Sequence, residues 1–260
     1  MYPIFLVIHG FVIYWYGVII AIGVYVSFVI FQQLAKKESY SENTIEKVFF
    51  IVVISGVIGG RLLHVLVNPH FYFSHPMEIL DIRKGGLAIQ GALMLPFISV
   101  IVFLRKNKNI NLLILLDILA ICVPVGQAIG RLADFMNGNC YGLATSGIFA
   151  VKFPELTYSV YPTQLFESFG NFIIFLILYF LLYKRSHKNG EVVGWFFILY
   201  GALRANLDFL RGDLISGPFS WTFGLYATQI FGIIFFVLGA AWIIYLQFSK
   251  SHKLKGEIIK

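Results

Sequence analysis

Seven apolar runs, each close to the roughly 20 residues an α-helix needs to cross a hydrocarbon core, follow one another along the 260-residue chain. They cover residues 11–34, 48–67, 87–104 and 110–125, then a run opening at 161 and closing at Lys184, one opening at 191, and residues 225–248. Runs of this length satisfy their backbone hydrogen bonds internally, so the pattern predicts helices rather than a barrel. The expected fold is all-α: a polytopic membrane protein with seven transmembrane helices and a small external head segment at about 130–161. No internal repeat and no soluble stretch interrupts the pattern, so residues 1–260 are expected to form a single membrane-embedded domain.

Polar residues between the runs set the orientation. Lys36-Lys37, Arg105 to Lys108, Lys184 to Lys188 and the tail from Lys250 to Lys260 all fall on one side if the spans alternate. Basic flanks mark the cytoplasmic side, which places the N-terminus outside and the C-terminus inside. Composition agrees: the chain is 58% hydrophobic and 13% charged, with a mean hydropathy of +0.81, whereas soluble domains carry about 25% charged residues. The net charge of +7 then reads as a topology signal, and no nucleic-acid partner is expected. Cys122 and Cys140 have no metal-ligand spacing and form no convincing disulfide framework; Cys122 reads as a small core residue. The first apolar run is too long for a signal-peptide core, so no cleavable leader is expected.

The stretch from Gly126 to Gly142 breaks the apolar rule most sharply. It places Gln127, Arg131, Asp134, Asn137 and Asn139 among four glycines, directly after a membrane run. A charge at the centre of a membrane helix costs about 2.5–3.5 kcal/mol on insertion scales, so such residues mark a site or a buried pair. Arg61, Arg204 and Arg211 also lie in spans or at their outer ends, as do Glu167 and Asp208. Arg204, Asp208 and Arg211, spaced by four and three, share one helix face. Two explanations stay open on spacing alone: ordinary ion pairing, as for Arg204 with Asp208, or a site for an anionic lipid headgroup. Four guanidiniums against three carboxylates leave cationic capacity for a phosphate, which arginine binds in a two-pronged fashion. Arg61 must snorkel, pair or bind an anion; His64, one turn on, reads as a packing histidine, and Asp117 as a buried acid with a structural partner. Tyr14, Trp15 and Tyr16 suit an aromatic belt at the interface.

Six pieces in this order make the chain resemble the bacterial phosphatidylglycerol–prolipoprotein diacylglyceryl transferases over nearly its whole length. They are Trp15-Tyr16-Gly17, Gly59-Gly60-Arg61, Gly85-Gly86-Leu87 with Gly91, Gly130-Arg131 through Gly142, Pro162-Thr163-Gln164-Leu165-Phe166-Glu167, and Tyr200-Gly201 with Arg204, Asp208-Phe209 and Arg211. The resemblance implies a seven-helix protein of the bacterial cytoplasmic (inner) membrane. It implies transfer of a diacylglyceryl group from phosphatidylglycerol to the lipobox cysteine of a prolipoprotein signal peptide, with glycerol phosphate leaving. Phosphatidylglycerol, such signal peptides and membrane lipids are the implied partners, and no metal or soluble cofactor is implied.

Carried residue by residue, the resemblance places catalytic roles at Tyr16, Arg131 and Arg204. Arg131 and Arg204 would grip the phosphate and Tyr16 would donate a hydrogen bond. Asp134 and Asp208 join this catalytic set, while Arg61, Gln90, Asn137, Asn139, Gly142, Gln164, Glu167 and Arg211 are expected to bind substrate. Gln164 and Glu167, three residues apart, share a face from which they can orient the arginines. The chain departs from the family at several positions. Gln90-Gly91-Ala92 stands where the family has His-Gly-Gly, and glutamine cannot take up a proton near neutral pH. Asp134-Phe135-Met136-Asn137-Gly138-Asn139 replaces Asn-Phe-x-Asn-x-Glu, Asp208 replaces a glutamate, and Tyr161 replaces a histidine. One expectation is compensation, with Asp134 or Asp208 supplying the displaced acid. The alternative is a silent or re-purposed relative that binds anionic lipid or a partner protein.

Overall fold

In the computed structural model, which describes residues 4–8, 11–80, 88–107, 110–185, 188–212 and 225–257, the chain opens on an antiparallel ribbon rather than a helix. Strands β1 (Ile4–Ile8) and β2 (Phe11–Tyr14) pair Leu6 with Ile13, Val7 with Val12 and Ile8 with Phe11. This corrects the all-α expectation at one place. Phe11, Val12, Ile13 and Tyr14 are β-branched or aromatic, and a short apolar run of that kind does not discriminate strand from helix. The first helix, α1, therefore starts at Trp15 and not at Phe11 (Trp15–Lys37).

The remaining helices are α2 (Glu42–Val67), the short α3 (Pro69–Ser74), α4 (Ile89–Lys106), α5 (Leu112–Asn137), α6 (Thr163–Leu176), α7 (Glu191–Leu207) and α8 (Ala227–Glu257). Ser41 caps α2, its hydroxyl accepting from the Thr44 amide at 3.3 Å, and a proline at the first position starts α3. A π-helical stretch, Ile177–Tyr183, prolongs α6 to the length of a span. Among the described residues six helices are long and apolar enough to cross a membrane: Trp15–Lys37, Glu42–Val67, Leu112–Asn137, Thr163–Phe180, Glu191–Leu210 and Thr228–Phe248. The chain is thus a mostly helical, multi-pass membrane protein. The expected span at 87–104 corresponds to the 18-residue α4.

Large apolar side chains face outward, as they must where lipid is the solvent. Phe50, Ile54 and Ile58 on α2, and Phe236, Val237, Ile244 and Phe248 on α8, are all more than two-fifths exposed. A soluble monomer rarely leaves an apolar patch of that extent uncovered.

The chain folds as two compact units, Phe31–Leu115 and Met1–Ile30 with Leu116–Lys260. In the first, Phe31, Leu34, Ile45 and Val48 form a buried cluster, and α2 crosses α4 at two glycines. A Cβ on Gly59 would collide with the carbonyl of Gly91, and one on Gly91 with the carbonyl of Gly59. The Ala88 amide donates to the Gly60 carbonyl at 2.9 Å across the same crossing. Arg61 lies beside it, buried, its Nε donating to Ile79 O at 2.9 Å, its Nη2 to Glu78 O, and its guanidinium 5.3 Å from the Tyr72 ring. In the second unit the core runs through Ile118, Ile121, Val160, Leu178 and Val192. Here α7 packs on α8 through Gly201 against Gly232 and Gly194 against Gly239; added Cβ atoms on Gly201, Gly232 and Gly239 would meet backbone, and one on Gly194 the side chains of Trp242 and Ile243. The Ser168 hydroxyl ties α6 to α5 by donating to Ala128 O at 2.7 Å. Asp117, expected to have a structural partner, accepts from the backbone amides of Gly190 and Val193 at the start of α7.

Candidate active site

The helix α5 does not stop at the apolar boundary. It continues through Gly126 and Gly130 to Asn137, so Arg131 and Asp134 sit on its last turns rather than in a loop. Gly126 faces Ser27, whose Oγ would lie 3.0 Å from an added Cβ. The helix ends where Gly138 takes φ +73°. The Asn139 amide then donates to Asp134 O at 3.0 Å and the Gly138 amide to Phe135 O at 3.3 Å, the paired bonds of a Schellman stop. Cys140 follows at φ +58°. Its carbonyl accepts from the Thr163 hydroxyl at 2.8 Å, and the Asn139 carbonyl accepts from Gln164 Nε2. The first turn of α6 is thereby fastened to the turn that ends α5.

From these two elements and α7 a continuous chain of charges is assembled. Arg131 Nη1 lies 2.8 Å from Asp134 Oδ2, and its Nη2 lies 2.9 Å from Glu167 Oε1. Glu167 also receives Arg204 Nη1, 3.0 Å from both carboxylate oxygens. Arg204 Nη2 reaches Asp208 Oδ1 at 3.0 Å, and Arg211 Nη1 stands 3.8 Å from the same oxygen. Asp208 is fully buried, Glu167, Arg204 and Arg211 nearly so, while Arg131 and Asp134 retain 15% and 18% exposure. The open end of the chain is therefore the Arg131–Asp134 end. Tyr16, 41% exposed on the first turn of α1, lies within electrostatic reach of Asp134, Cys140 and Arg131.

The helix face expected to carry Arg204, Asp208 and Arg211 together stops short of Arg211. The helix ends at Leu207, Asp208 to Leu210 form a single 3-10 turn, and Arg211 is extended. Arg211 stays beside Asp208 because the turn folds it back and the backbone then pairs with the outer segment. The Gly142 amide donates to Tyr161 O at 2.8 Å, that of Leu143 to Leu210 O at 2.8 Å, and that of Gly212 to Tyr141 O at 3.3 Å. A Cβ on Gly142 would lie 2.7 Å from both Leu210 O and Tyr161 Cβ. Gly142 is thus explained by close backbone packing.

Of the thirteen residues singled out in the sequence, Arg131, Asp134, Glu167, Arg204, Asp208 and Arg211 form the charge chain, with Tyr16 at its open end. Gln164 holds the turn beside it, and Gly142 lies in the adjoining ribbon. Asn137 and Asn139 have exposed side chains. Arg61 belongs to the Phe31–Leu115 unit, where backbone carbonyls and an aromatic ring engage it, so the charge chain holds three guanidiniums against three carboxylates rather than four against three. Gln90 lies on the first turn of α4, its side chain outside the described residues, as is the Gly85-Gly86-Leu87 piece.

Two polar neighbours named in the sequence, Gln127 and Tyr200, were given no role at the site. Tyr200, buried on α7, is coupled electrostatically to Arg204, Glu167 and Arg131, and its hydroxyl accepts from Gln127 Nε2 at 3.4 Å. The signal was available: Tyr200 precedes Arg204 by four residues and Gln127 precedes Arg131 by four, so each shares its arginine's helix face. Chemically, the arrangement offers guanidinium N–H groups to oxyanion oxygens, a phenol, and at its open end a carboxylate able to accept a proton.

A phosphatidylglycerol–prolipoprotein diacylglyceryl transferase of Finegoldia magna is 36% identical over 253 residues, spanning 97% of this chain and 96% of the relative. The enzyme of the same name from Clostridium tetani is 33% identical over 220 residues (82% and 86%), and that of Bartonella tribocorum 37% over 223 residues (80% and 76%). The sequence model of one family matches residues 3–245, which include every member of the charge chain. The chain belongs to the prolipoprotein diacylglyceryl transferase family.

Proposed function

We propose that this chain transfers the diacylglyceryl group of phosphatidylglycerol to the lipobox cysteine thiol of prolipoproteins, the first step of lipoprotein maturation. The observation that carries the reading is the pair Arg131 and Arg204, held side by side by the one carboxylate of Glu167. In the reaction the cysteine sulfur bonds to the glyceryl carbon, the carbon–oxygen bond to phosphate breaks, and glycerol phosphate leaves with that electron pair. Arg131 and Arg204 meet the charge that develops on the phosphate, where fixed donors in a dry site contribute most. Tyr16 donates a hydrogen bond at the exposed edge. Asp134, the most accessible of the three acids, takes the thiol proton directly or through water, and Asp208 holds Arg204 and Arg211. Glu167 and Gln164 keep the arginines and the adjoining turn in place, and Asn137, Asn139 and Gly142 belong to the outer turn that the substrates approach. Arg61 and Gln90 are assigned to substrate binding on the resemblance alone.

The same reading makes the protein a resident of the bacterial cytoplasmic membrane. It has seven spans when α4 is counted, an N-terminus outside, a C-terminus in the cytoplasm, and the stretch that follows α5, up to residue 161, as a head segment. The Lys/Arg bias supports this orientation.

A second reading is favoured by one observation: three guanidiniums are matched by three carboxylates, as in a structural network. A relative that binds phosphatidylglycerol without turning it over would look the same. The test is purified protein with phosphatidylglycerol and a lipobox peptide, read by peptide mass, with Gln90→His and Asp134→Asn alongside. A diacylglyceryl mass gain from the parent, lost by 10²-fold or more in Asp134→Asn, is expected for an acid–base group. Activity of Asp134→Asn equal to the parent refutes its role. Silence from both parent and Gln90→His, with phosphatidylglycerol still bound, favours the second reading.

A further inference from the structure

Helices α5 and α7 are tied to each other by polar side chains at three levels, and all three ties share one offset in the chain. Asp117 Oδ2 accepts from the Gly190 amide at 2.6 Å. Ten residues further along both helices, Gln127 Nε2 donates to the Tyr200 hydroxyl at 3.4 Å. Four residues further again, Arg131 and Arg204 meet on Glu167. Position 190 is to 117 as 200 is to 127 and 204 is to 131, a constant difference of 73. A constant difference means two helices running in the same direction and in axial register. At about 1.5 Å per residue, the 14 residues from the first tie to the last span about 21 Å on each helix.

The lowest tie engages the first turn of α7. Asp117 is fully buried and its two oxygens take the Gly190 amide and, at 2.9 Å, the Val193 amide, two of the N–H groups that a helix start leaves without partners. No side chain of α7's own cap residue does this, because that residue is Gly190. A carboxylate fixed on α5 therefore caps α7, and the cap seats the start of α7 at one height on α5. If α7 slips by one residue, Arg204 moves about 1.5 Å along the axis and about 100° around it, out of reach of the Glu167 oxygens.

We infer that Asp117 is a positioning residue for the site, setting the register of α7 on α5 so that Arg204 is level with Arg131, although its own carboxylate lies about four helical turns from either guanidinium. The inference rests on the proposed transferase reading for its effect on rate and not for its effect on geometry.

Two measurements test it. The first is a double-mutant cycle in the peptide assay, with rates normalised to folded protein, comparing Asp117→Ala in the parent and in an Arg204→Lys background. Acting through Arg204, the substitution lowers the parental rate at least tenfold and the Arg204→Lys rate less than threefold, since coupled sites are not additive. Asp117→Asn, which keeps one accepting oxygen, restores part of the parental rate. Equal losses in both backgrounds overturn the inference. Trp242→Phe serves as a stability control. It removes the indole bond to Gly190 O (2.8 Å) at the same helix end, and should lower Tm while leaving the rate per folded molecule within twofold. The second measurement needs no activity: nitroxide labels at Leu132 and Asn206, both exposed near the outer ends of α5 and α7, report the inter-helix distance. A shifted or broadened distribution in Asp117→Ala is expected, and a distribution matching the parent overturns the inference. A parent silent in the peptide assay but with label distances that respond to Asp117→Ala would refute the transferase reading and leave the register intact.

Discussion

Glu167→Gln is the substitution whose effect follows most directly from the geometry. The carboxylate receives Arg131 Nη2 at 2.9 Å and Arg204 Nη1 at 3.0 Å on both oxygens, with the side chain 6% exposed. Glutamine has the same shape, and its amide oxygen in the place of Oε1 keeps a contact to both arginines. Its NH2 group, in the place of Oε2, turns a donor toward Arg204 Nη1, so that charge-assisted bond, worth about 1.5–3 kcal/mol, is lost outright. The remaining contacts weaken because the negative charge has gone. Arg131 keeps Asp134 and Arg204 keeps Asp208, which holds the total near the lower end of the 3–5 kcal/mol seen when one side of a buried ion pair is removed. About 3 kcal/mol corresponds to a fall in Tm of about 6–12 °C for a chain of this size. The four tryptophans allow the transition to be followed by fluorescence in detergent. Because both arginines lose their common holder, the peptide-transfer rate should fall by about 10²-fold, the scale expected when a reacting contact is misplaced by about 1 Å. A Tm within about 2 °C of the parent together with an unchanged rate would refute the claim that Glu167 holds the pair.

Gly138→Ala should lower Tm by a few degrees, because an L side chain at φ +73° costs about 1–2 kcal/mol, whereas Gly138→Asn should recover most of the loss; equal melting of the two variants would count against the strain argument. Gly91→Ala should sharply reduce the yield of folded protein by driving a Cβ into the Gly59 carbonyl, measurable as loss of the monodisperse peak in size-exclusion chromatography. Ser168→Ala removes the 2.7 Å bond to Ala128 O and should cost about 1 kcal/mol in thermal unfolding, with little change in rate.

The apolar and polar pattern carried the helices well and the azimuths poorly. Run length marks a span whatever its neighbours, so α2, α5 and α8 were legible at once. The ribbon at Ile4–Ile8 and Phe11–Tyr14 was not, since its residues are as apolar as the helix that follows. The end of α5 was misplaced because Gly126 and Gly130 look like loop residues; in the structure they are places where α1 comes close, Ser27 against Gly126 and Ile20 against Gly130. Arg61 was grouped with the other arginines because hydropathy reports depth in the membrane, not which carbonyls a guanidinium meets. Glu167 was legible as a site residue but not as the holder of two arginines, since that depends on how α6 and α7 are brought alongside α5. Tyr200 and Gln127 were recoverable from their four-residue spacing to Arg204 and Arg131.

The balance of three guanidiniums and three carboxylates bears on how such a site empties. Arg131, Arg204 and Arg211 each have a carboxylate beside them, so on the proposed function an arriving phosphate would not fill a gap but exchange with a counterion already in place. Departure runs the exchange backwards: the carboxylates close on the arginines again, and no bare charge remains in a medium of low dielectric, where it would cost several kcal/mol. A site of four unpaired cations would clutch its spent headgroup. One that carries its own counterions can let go, and so can begin again on the next lipid.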